Sequence, residues 1–415
     1  MTAPSARVVI IGGGQAGGWV ARTLRDQGHA GPIVLIGDEQ HPPYERPPLS
    51  KALLLGTAAP ESTHLFPGEA WTKLAVDHRA GQRAVRIDRA ARSVGLANGT
   101  AVPYDALVLA TGARVRRLKL PGSELAGVHY LRDLADSAAI AADLARPGRL
   151  LVIGGGWIGL EVAAAARKRG RDVTLVEAAP KLCGRALAPD LADHLAAIHA
   201  AHGVELRLGA TVARLEGDAR VSRAVFADGS TLAVDAAVIG IGVQANSELA
   251  AEAGLAVDQA MGGIVVDEHG RTADPAIFAA GDVASHPNAL VGRRIRLESW
   301  ENAQNQAIHV AKAILGKAEQ PYAEVPWFWS DQYDVNIQLI GLPQRWDRAV
   351  MRGTRESGAF LVAYFDGPAL VGAAAFNAGR DLRFVRRMMQ QRIAVEPARL
   401  ADPAVKLQDL LKPAR

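Results

Sequence analysis

The sequence predicts an α/β protein built on two Rossmann-type nucleotide-binding units, followed by a smaller α+β region. Three observations carry that expectation. A short apolar strand, a glycine-rich turn and an apolar helix stand near the N-terminus; the same succession returns from Leu150; and from about Pro326 the chain becomes aromatic and then mixed. At 415 residues it is also too long for one ordinary core, so two or three domains are expected.

In the first unit Val8 to Ile11 reads as the strand, Gly12 to Gly17 as the turn, Trp19 to Arg25 as the helix, and Ile33 to Ile36 as the next strand, ending at Asp38. In the second, Leu150 to Ile153, Gly154 to Gly159, Leu160 to Lys168 and Val173 to Val176 repeat that order and end at Glu177. A proline-rich loop, His41 to Lys51, and a strand running into a turn, PYDALVLATG at Pro103 to Gly112, lie between them. VDAAVIGIG at Val234 to Gly242 closes the second unit in the same way. Further strands are read at Ile264 to Val266 and Ile277 to Ala280, before Gly281 and Asp282. FLVAYF and LVGAAAF, followed by a helix-like stretch, form the last region.

Composition narrows the function classes. Hydrophobic residues make up 49% and charged residues 22%, a folded globular balance. A net charge of +4, from 47 Lys and Arg against 43 Asp and Glu, gives no argument for nucleic acid. The apolar runs are strand-sized, far short of the roughly 20 residues that cross a bilayer, and no basic leader precedes Val8, so no membrane association and a cytoplasmic location are expected. Cys183 is the only cysteine and reads as a half-buried thiol; disulfides, thiolate metal sites and cysteine-held clusters are thereby excluded. The histidines lack a convincing ligand set, so no metal site is expected, and most are read as surface residues.

A Gly-x-Gly-x-x-Gly turn between strand and helix lets the backbone approach a pyrophosphate, whose charge meets the helix N-terminal N–H groups. Gly12, Gly14 and Gly17 supply one such turn and Gly154, Gly156 and Gly159 the other. Asp38 and Glu177 stand where an acidic side chain accepts hydrogen bonds from an adenosine ribose. A carboxylate there repels a ribose 2′-phosphate, which favours NADH over NADPH, with Arg185 near enough in sequence to leave the preference open. Two dinucleotides in one chain imply electron exchange between them.

The paired turns, Ala110, Thr111 and Gly112, and the Gly281–Asp282 pair resemble the two-dinucleotide flavoproteins of the glutathione reductase superfamily. PYERPPLSK at Pro43 to Lys51, GGGWIGLE at Gly154 to Glu161, RLESWENAQNQ at Arg296 to Gln306 and PWFWSDQ at Pro326 to Gln332 narrow the likeness. Over nearly its whole length the chain resembles the ferredoxin reductases of putidaredoxin reductase type. The resemblance implies a discontinuous FAD domain (1–113 and 246–323), an inserted NAD domain (114–245) and a C-terminal domain (324–415). It also implies FAD contacts at Gly12, Gly14, Ala16, Gly17, Asp38, Lys51, Ala84, Ala110, Thr111, Gly112, Arg132, Asp282 and Trp300. NAD contacts are implied at Gly154, Gly156, Ile158, Gly159, Glu177 and Gly242.

Disulfide reductases of the superfamily carry a redox-active cysteine pair after the first helix, where this chain has Pro47, Pro48, Leu49 and Ser50. Thiol relay is excluded, and electrons must leave the flavin directly. By resemblance Lys51 lies near the flavin with Glu161, where an ammonium stabilises the negative charge that hydride delivers; the alternative is a solvated lysine beside a helix carboxylate. Trp157 is expected to lid the flavin and swing aside for nicotinamide, or else simply to pack between strand and helix. Trp329 is expected to approach the flavin, with Trp300 and Glu301 beside its pyrimidine end, whereas Trp327 and Phe328 read as core.

The activity implied is transfer of a hydride from NADH to FAD and of single electrons to an acidic 2Fe-2S ferredoxin serving an oxygenase, in a monomer or homodimer. An NADH oxidase, a quinone reductase and a redox-sensing protein of the apoptosis-inducing type are the alternatives. Arg380, Arg383, Arg386, Arg387 and Arg392 offer a basic docking face, or an ordinary solvated helix surface.

Overall fold

The computed structural model describes residues 5–66 and 68–412, so the expected outer domain limits at residues 1 and 415 lie outside the described residues. Val8–Ile11 is the central strand of a parallel five-stranded sheet, ordered Ile277–Ala279, Ala106–Leu109, Val8–Ile11, Ile33–Ile36 and Asp77–Arg79. All four residues of Val8–Ile11 are buried because both faces of the sheet are covered. Val8 and Ile10 pack toward Val20, Leu24 and Ala307, and Val9 and Ile11 toward Leu96 and Val283. This explains why the strand reads as an unbroken apolar run and not as an alternation.

A second parallel sheet repeats the plan, ordered Val204–Leu208, Asp172–Glu177, Arg149–Ile153, Ala236–Ile239 and Val128–His129. Each unit also carries a three-stranded antiparallel meander: Ala84–Asp88, Ser93–Leu96 and Ala101–Pro103 in the first, and Val212–Glu216, Arg223–Phe226 and Thr231–Ala233 in the second. In the second unit the meander supplies Ala224 and Phe226 to cover Leu151 and Ile153. The chain leaves the first sheet along Ala113–Val115 and returns along Val243–Ala245, and the two strands pair antiparallel. Asn246 closes the crossing by bonding the Thr111 carbonyl (2.8 Å) and accepting from the Thr111 hydroxyl (2.7 Å).

Both glycine-turn helices begin earlier than the sequence suggests, at Gln15 and at Trp157. The third glycine of each turn is therefore already inside the helix. The last region is an antiparallel sheet, ordered Trp327–Gln332, Val335–Gly341, Ala369–Phe376, Ala359–Asp366 and Arg348–Thr354, with the helix Gly379–Gln390 packed on it. Its other face does not reach water: Ile337, Phe360 and Phe376 join one core with Leu160, Leu175 and Leu191 of the second unit and Leu49 and Leu54 of the proline-rich loop. All three parts of the chain converge there.

Two readings of individual residues are corrected. Cys183 is buried, with a left-handed backbone (φ 48°) and its N–H bonded to the Gly155 carbonyl at 2.9 Å. Among the eleven histidines only His41 and His202 are exposed; His29, His199 and His286 are buried, because helix–sheet contacts absorb imidazole rings as flat packing groups. Burial holds His199 down at about 4, and burial with Arg294 nearby does the same for His286.

Both groups are thus neutral when folded, whereas an unfolded chain protonates them below about pH 6.5, so stability is present above that pH and is lost as pH falls toward 4. Urea unfolding at pH 7.5 and pH 5.0 is expected to show a loss on the order of 2 kcal/mol per histidine. His286→Phe should flatten the pH dependence, and an unchanged slope would contradict the assignment.

Candidate active site

The first and third glycines of each turn are dictated by the backbone itself. A Cβ at Gly12 would strike the Ala110 carbonyl oxygen, and one at Gly154 the Gly240 carbonyl oxygen; both residues have φ above +100°. A Cβ at Gly17 would meet the Gly12 oxygen, and one at Gly159 the Gly154 oxygen. The second glycine differs. Gly14 has no neighbour within 4 Å and Gly156 only the Gly240 oxygen at 4.0 Å. Nothing in the chain requires a glycine there, so the open space fits the pyrophosphate of a bound dinucleotide.

Around the first turn other observations suit the same ligand. Gln15 has both amide atoms buried without a partner, as are His78 Nε2 and Gln82 Oε1, and buried polar atoms are seldom left unsatisfied. Ala16 and Ala110 are buried, Thr111, Gly112 and Ala84 half-buried, and Asp38 exposed just past its strand. Across the site Arg132 Nη2 lies 3.5 Å from Asp282 Oδ2. Burial raises the Asp282 carboxyl above its usual range against the opposing pull of Arg132. Arg46 donates to the Arg132 carbonyl (2.5 Å) and pairs with Glu39 (2.6 Å), whose other oxygen accepts from Tyr44 (2.5 Å). Sequence reasoning missed Arg46, Tyr44 and Glu39 as site residues, although two of them stand inside the PYERPPLSK motif.

At the second turn Glu177 accepts from the Gly155 N–H (2.6 Å) and the Ala179 N–H (2.8 Å), which fixes its carboxylate beside the turn. Ile158 is 44% exposed at the helix start, an apolar surface that fits a covering ligand. Gly242 faces Arg185, whose Nη2 would lie 3.7 Å from an added Cβ. The arginine and Glu177 therefore both border this turn.

The two units meet at Glu161. This carboxylate is 4% exposed, yet Lys51 Nζ lies 2.8 Å from Oε2, the Ser50 hydroxyl donates to the same oxygen, and the Ser330 hydroxyl donates to Oε1 at 2.6 Å. The solvated alternative for this pair is thereby set aside. Ser50 and Ser330 were not foreseen as its partners, since 111 and 169 residues separate them from Glu161 and no local pattern marks the contact.

Aromatic rings border the same junction. The Trp157 ring stands 5.1 Å from Phe328 of the C-terminal sheet and packs against the core that this sheet shares with the strands and helices of the second unit. Trp329 stacks on Trp327 at 5.0 Å and meets Trp300 edge-on at 5.7 Å. Trp327 and Phe328 are only half-buried, so neither is wholly in the core.

The expected arginine face is corrected at one residue. Arg386 makes a two-pronged pair with Glu301, at 2.7 Å on both arms, and also donates to the Val325 carbonyl. It ties the C-terminal helix to the helix Trp300–Ile314 and is not free for docking. Arg380, Arg383, Arg387 and Arg392 are exposed. Among the described residues no group of three His, Cys, Asp or Glu side chains is placed to hold a metal ion, and no helix is long and apolar enough to cross a membrane.

Comparison with known proteins agrees with this geometry. Residues 6–307 match the pyridine nucleotide-disulphide oxidoreductase family and residues 327–411 the reductase C-terminal family. The chain is 43% identical to rhodocoxin reductase of Rhodococcus erythropolis over 95% of this chain and 92% of that protein. It is 42% identical to the ferredoxin–NAD(+) reductase component of the anthranilate 1,2-dioxygenase system of Burkholderia cepacia, over 97% and 98% respectively. The crystal structure of the covalent putidaredoxin reductase–putidaredoxin complex superposes with a TM-score of 0.94 at 38% identity, covering 98% of both chains.

Substitution separates backbone need from ligand need. Gly156→Ala should leave the unfolding midpoint nearly unchanged while weakening NADH binding at least tenfold by titration, whereas Gly154→Ala should lower stability by more than about 1 kcal/mol, since its φ is unfavourable to any side chain. Arg386→Ala should cost about 2 kcal/mol in urea unfolding, because it leaves the mostly buried Glu301 without its partner. A loss no greater than that of Arg383→Ala would overturn this.

Proposed function

The chain belongs to the pyridine nucleotide-disulphide oxidoreductase family, and from that membership we propose that it is an FAD-dependent NADH:ferredoxin reductase. It takes a hydride from NADH and hands single electrons to a 2Fe-2S ferredoxin of an oxygenase system. The observation that carries the reading is the Lys51–Glu161 pair, which joins the proline-rich loop of the first unit to the helix of the second glycine turn, in a chain whose one cysteine lies outside that loop. That the proteins similar over the whole length are named as ferredoxin reductases supports the acceptor.

Gly12, Gly14 and Gly17 with Asp38 hold FAD, together with Ala84, Arg132, Asp282 and Trp300; Gly154, Gly156 and Gly159 with Glu177 hold NADH. The domains divide at 113/114, 245/246 and 323/324, and the protein works in the cytoplasm. When bound, FAD supplies the one chemistry no side chain offers, accepting two electrons together and releasing them singly.

The residues of the chain do the rest. Lys51 presents a fixed ammonium, held by Glu161, to the place where negative charge develops, and such pre-set charge needs no reorganisation during reaction. Trp157, the first residue of its helix, would cover the flavin ring and move aside for nicotinamide. Glu177 orients the adenosine ribose and repels a 2′-phosphate. No thiol intervenes, because the only cysteine, Cys183, is buried beside the second turn and its thiol is pushed up by burial. Trp329, edge-on to Trp300, would approach the flavin face opposite or beside the nicotinamide.

NADH-driven cytochrome c reduction is expected to be fast only when an acidic 2Fe-2S ferredoxin is added. Turnover with oxygen or quinone that ferredoxin does not raise would overturn the reading in favour of an oxidase or quinone reductase. Lys51→Met is expected to slow flavin reduction by NADH about tenfold or more in stopped flow, and an unchanged rate would remove Lys51 from the mechanism.

A further inference from the structure

Behind Glu161 a line of buried polar side chains runs away from the site through the C-terminal sheet into the second unit. Ser330 and Gln332 lie two apart on the strand Trp327–Gln332 and so share one face. They are 0% and 1% exposed in a strand whose first three members are aromatic and whose Asp331 points to solvent, and His199, 0% exposed, meets them from the last turn of the helix Pro189–Ala201. Gln332 Nε2 donates to Ser330 Oγ at 3.0 Å, Gln332 Oε1 lies 2.7 Å from His199 Nε2, and the Tyr333 hydroxyl lies 3.3 Å from His199 Nδ1. His202, which caps the end of that helix, stacks on the Tyr333 ring at 3.6 Å, at the exposed end of the line.

The sense of every bond follows from the charge at its end. A carboxylate only accepts, so Ser330 gives its one hydroxyl proton to Glu161 and must accept from the Gln332 amide. The Gln332 nitrogen therefore faces Ser330, and its oxygen faces His199. His199 then carries its proton on Nε2 and leaves Nδ1 to accept from Tyr333. An amide does not pass protons along readily, so the line orients and polarises and does not conduct.

We propose that Ser330, Gln332 and His199 are positioning residues of the reductase, which pin the buried Glu161 carboxylate and through it fix the Lys51 ammonium against the flavin. The proposal rests on the reading that Lys51 faces the flavin. Without the Ser330 hydroxyl, Glu161 keeps donors on Oε2 only, its charge is less shared, and the field of Lys51 at the ring is weaker. The line also joins three separate elements, so that a shift of the C-terminal sheet is felt at Glu161.

The test combines flavin potentials with histidine NMR on the FAD-loaded protein. In Ser330→Ala and in Gln332→Met, the reduction equilibrium is expected to move about tenfold against flavin reduction, ~30 mV for a two-electron couple. Ser330→Thr, which keeps the hydroxyl, should restore it. Ser137→Ala serves as control, since it removes an equally buried hydroxyl that donates to the Leu49 carbonyl of the same loop and not to Glu161, and should leave the potential unmoved. In the parent protein, 15N shifts of His199 should show Nε2 protonated and Nδ1 bare from pH 6 to 8.5. Potentials of Ser330→Ala and Gln332→Met equal to that of Ser137→Ala, or a His199 protonated on Nδ1, would overturn the positioning role. A purified protein that takes up no flavin, or whose flavin NADH does not reduce, would instead overturn the proposed function, and the histidine tautomer would still be readable.

Discussion

A single buried carboxylate sets the arrangement on which the rest of the structure depends. Glu161 stands in the second turn of its helix, 4% exposed, where an uncompensated charge would cost several kcal/mol. Its three partners come from two distant stretches: Lys51 and Ser50 from the proline-rich loop, and Ser330 from the C-terminal sheet. None of the three can leave without exposing that cost. The proline-rich loop is thereby held against the second unit, and the C-terminal sheet is held over both. The common apolar core of Leu49, Leu54, Leu160, Ile337 and Phe376 supplies the non-directional part of the same attachment.

The two glycine turns show how a backbone requirement and a ligand requirement coexist in six residues. The first and third glycines are demanded by neighbouring carbonyl oxygens and would be needed in an empty protein. The second is demanded only by what the turn is to hold. Gln15, with both amide atoms unpartnered, and Ile158, exposed at the start of its helix, are similarly incomplete by themselves. An electron-transferring protein with two dinucleotides must leave such openings, because the ligand is a structural part of each site.

Charge in the C-terminal helix divides in the same manner between holding the fold and facing outward. Arg386 is committed to Glu301 and to the Val325 carbonyl, while Arg380, Arg383 and Arg387 remain in solvent. A row of arginines in sequence is therefore not one surface. The helix periodicity turns Arg386 inward beside Leu382 and Val385 and its neighbours outward.

The sequence by itself determined the two nucleotide-binding units, their glycine turns, the absence of a thiol relay and the pairing of Lys51 with Glu161 through family resemblance. These are local patterns: strand, turn and helix are contiguous, and each glycine answers to neighbours within the same short segment or the adjoining strand. Only the tertiary structure decided which side chains complete Glu161, which arginine is spent inside, and that His199 and His286 are buried. Those contacts join residues 85 to 169 positions apart, or depend on which face of an element a neighbour covers, and no period along the chain encodes that. Ser330 and Gln332 make the point most sharply, since in the chain they are two of the three polar residues that end an aromatic run, and in the fold Ser330 bonds the buried Glu161 carboxylate and Gln332 bonds Ser330.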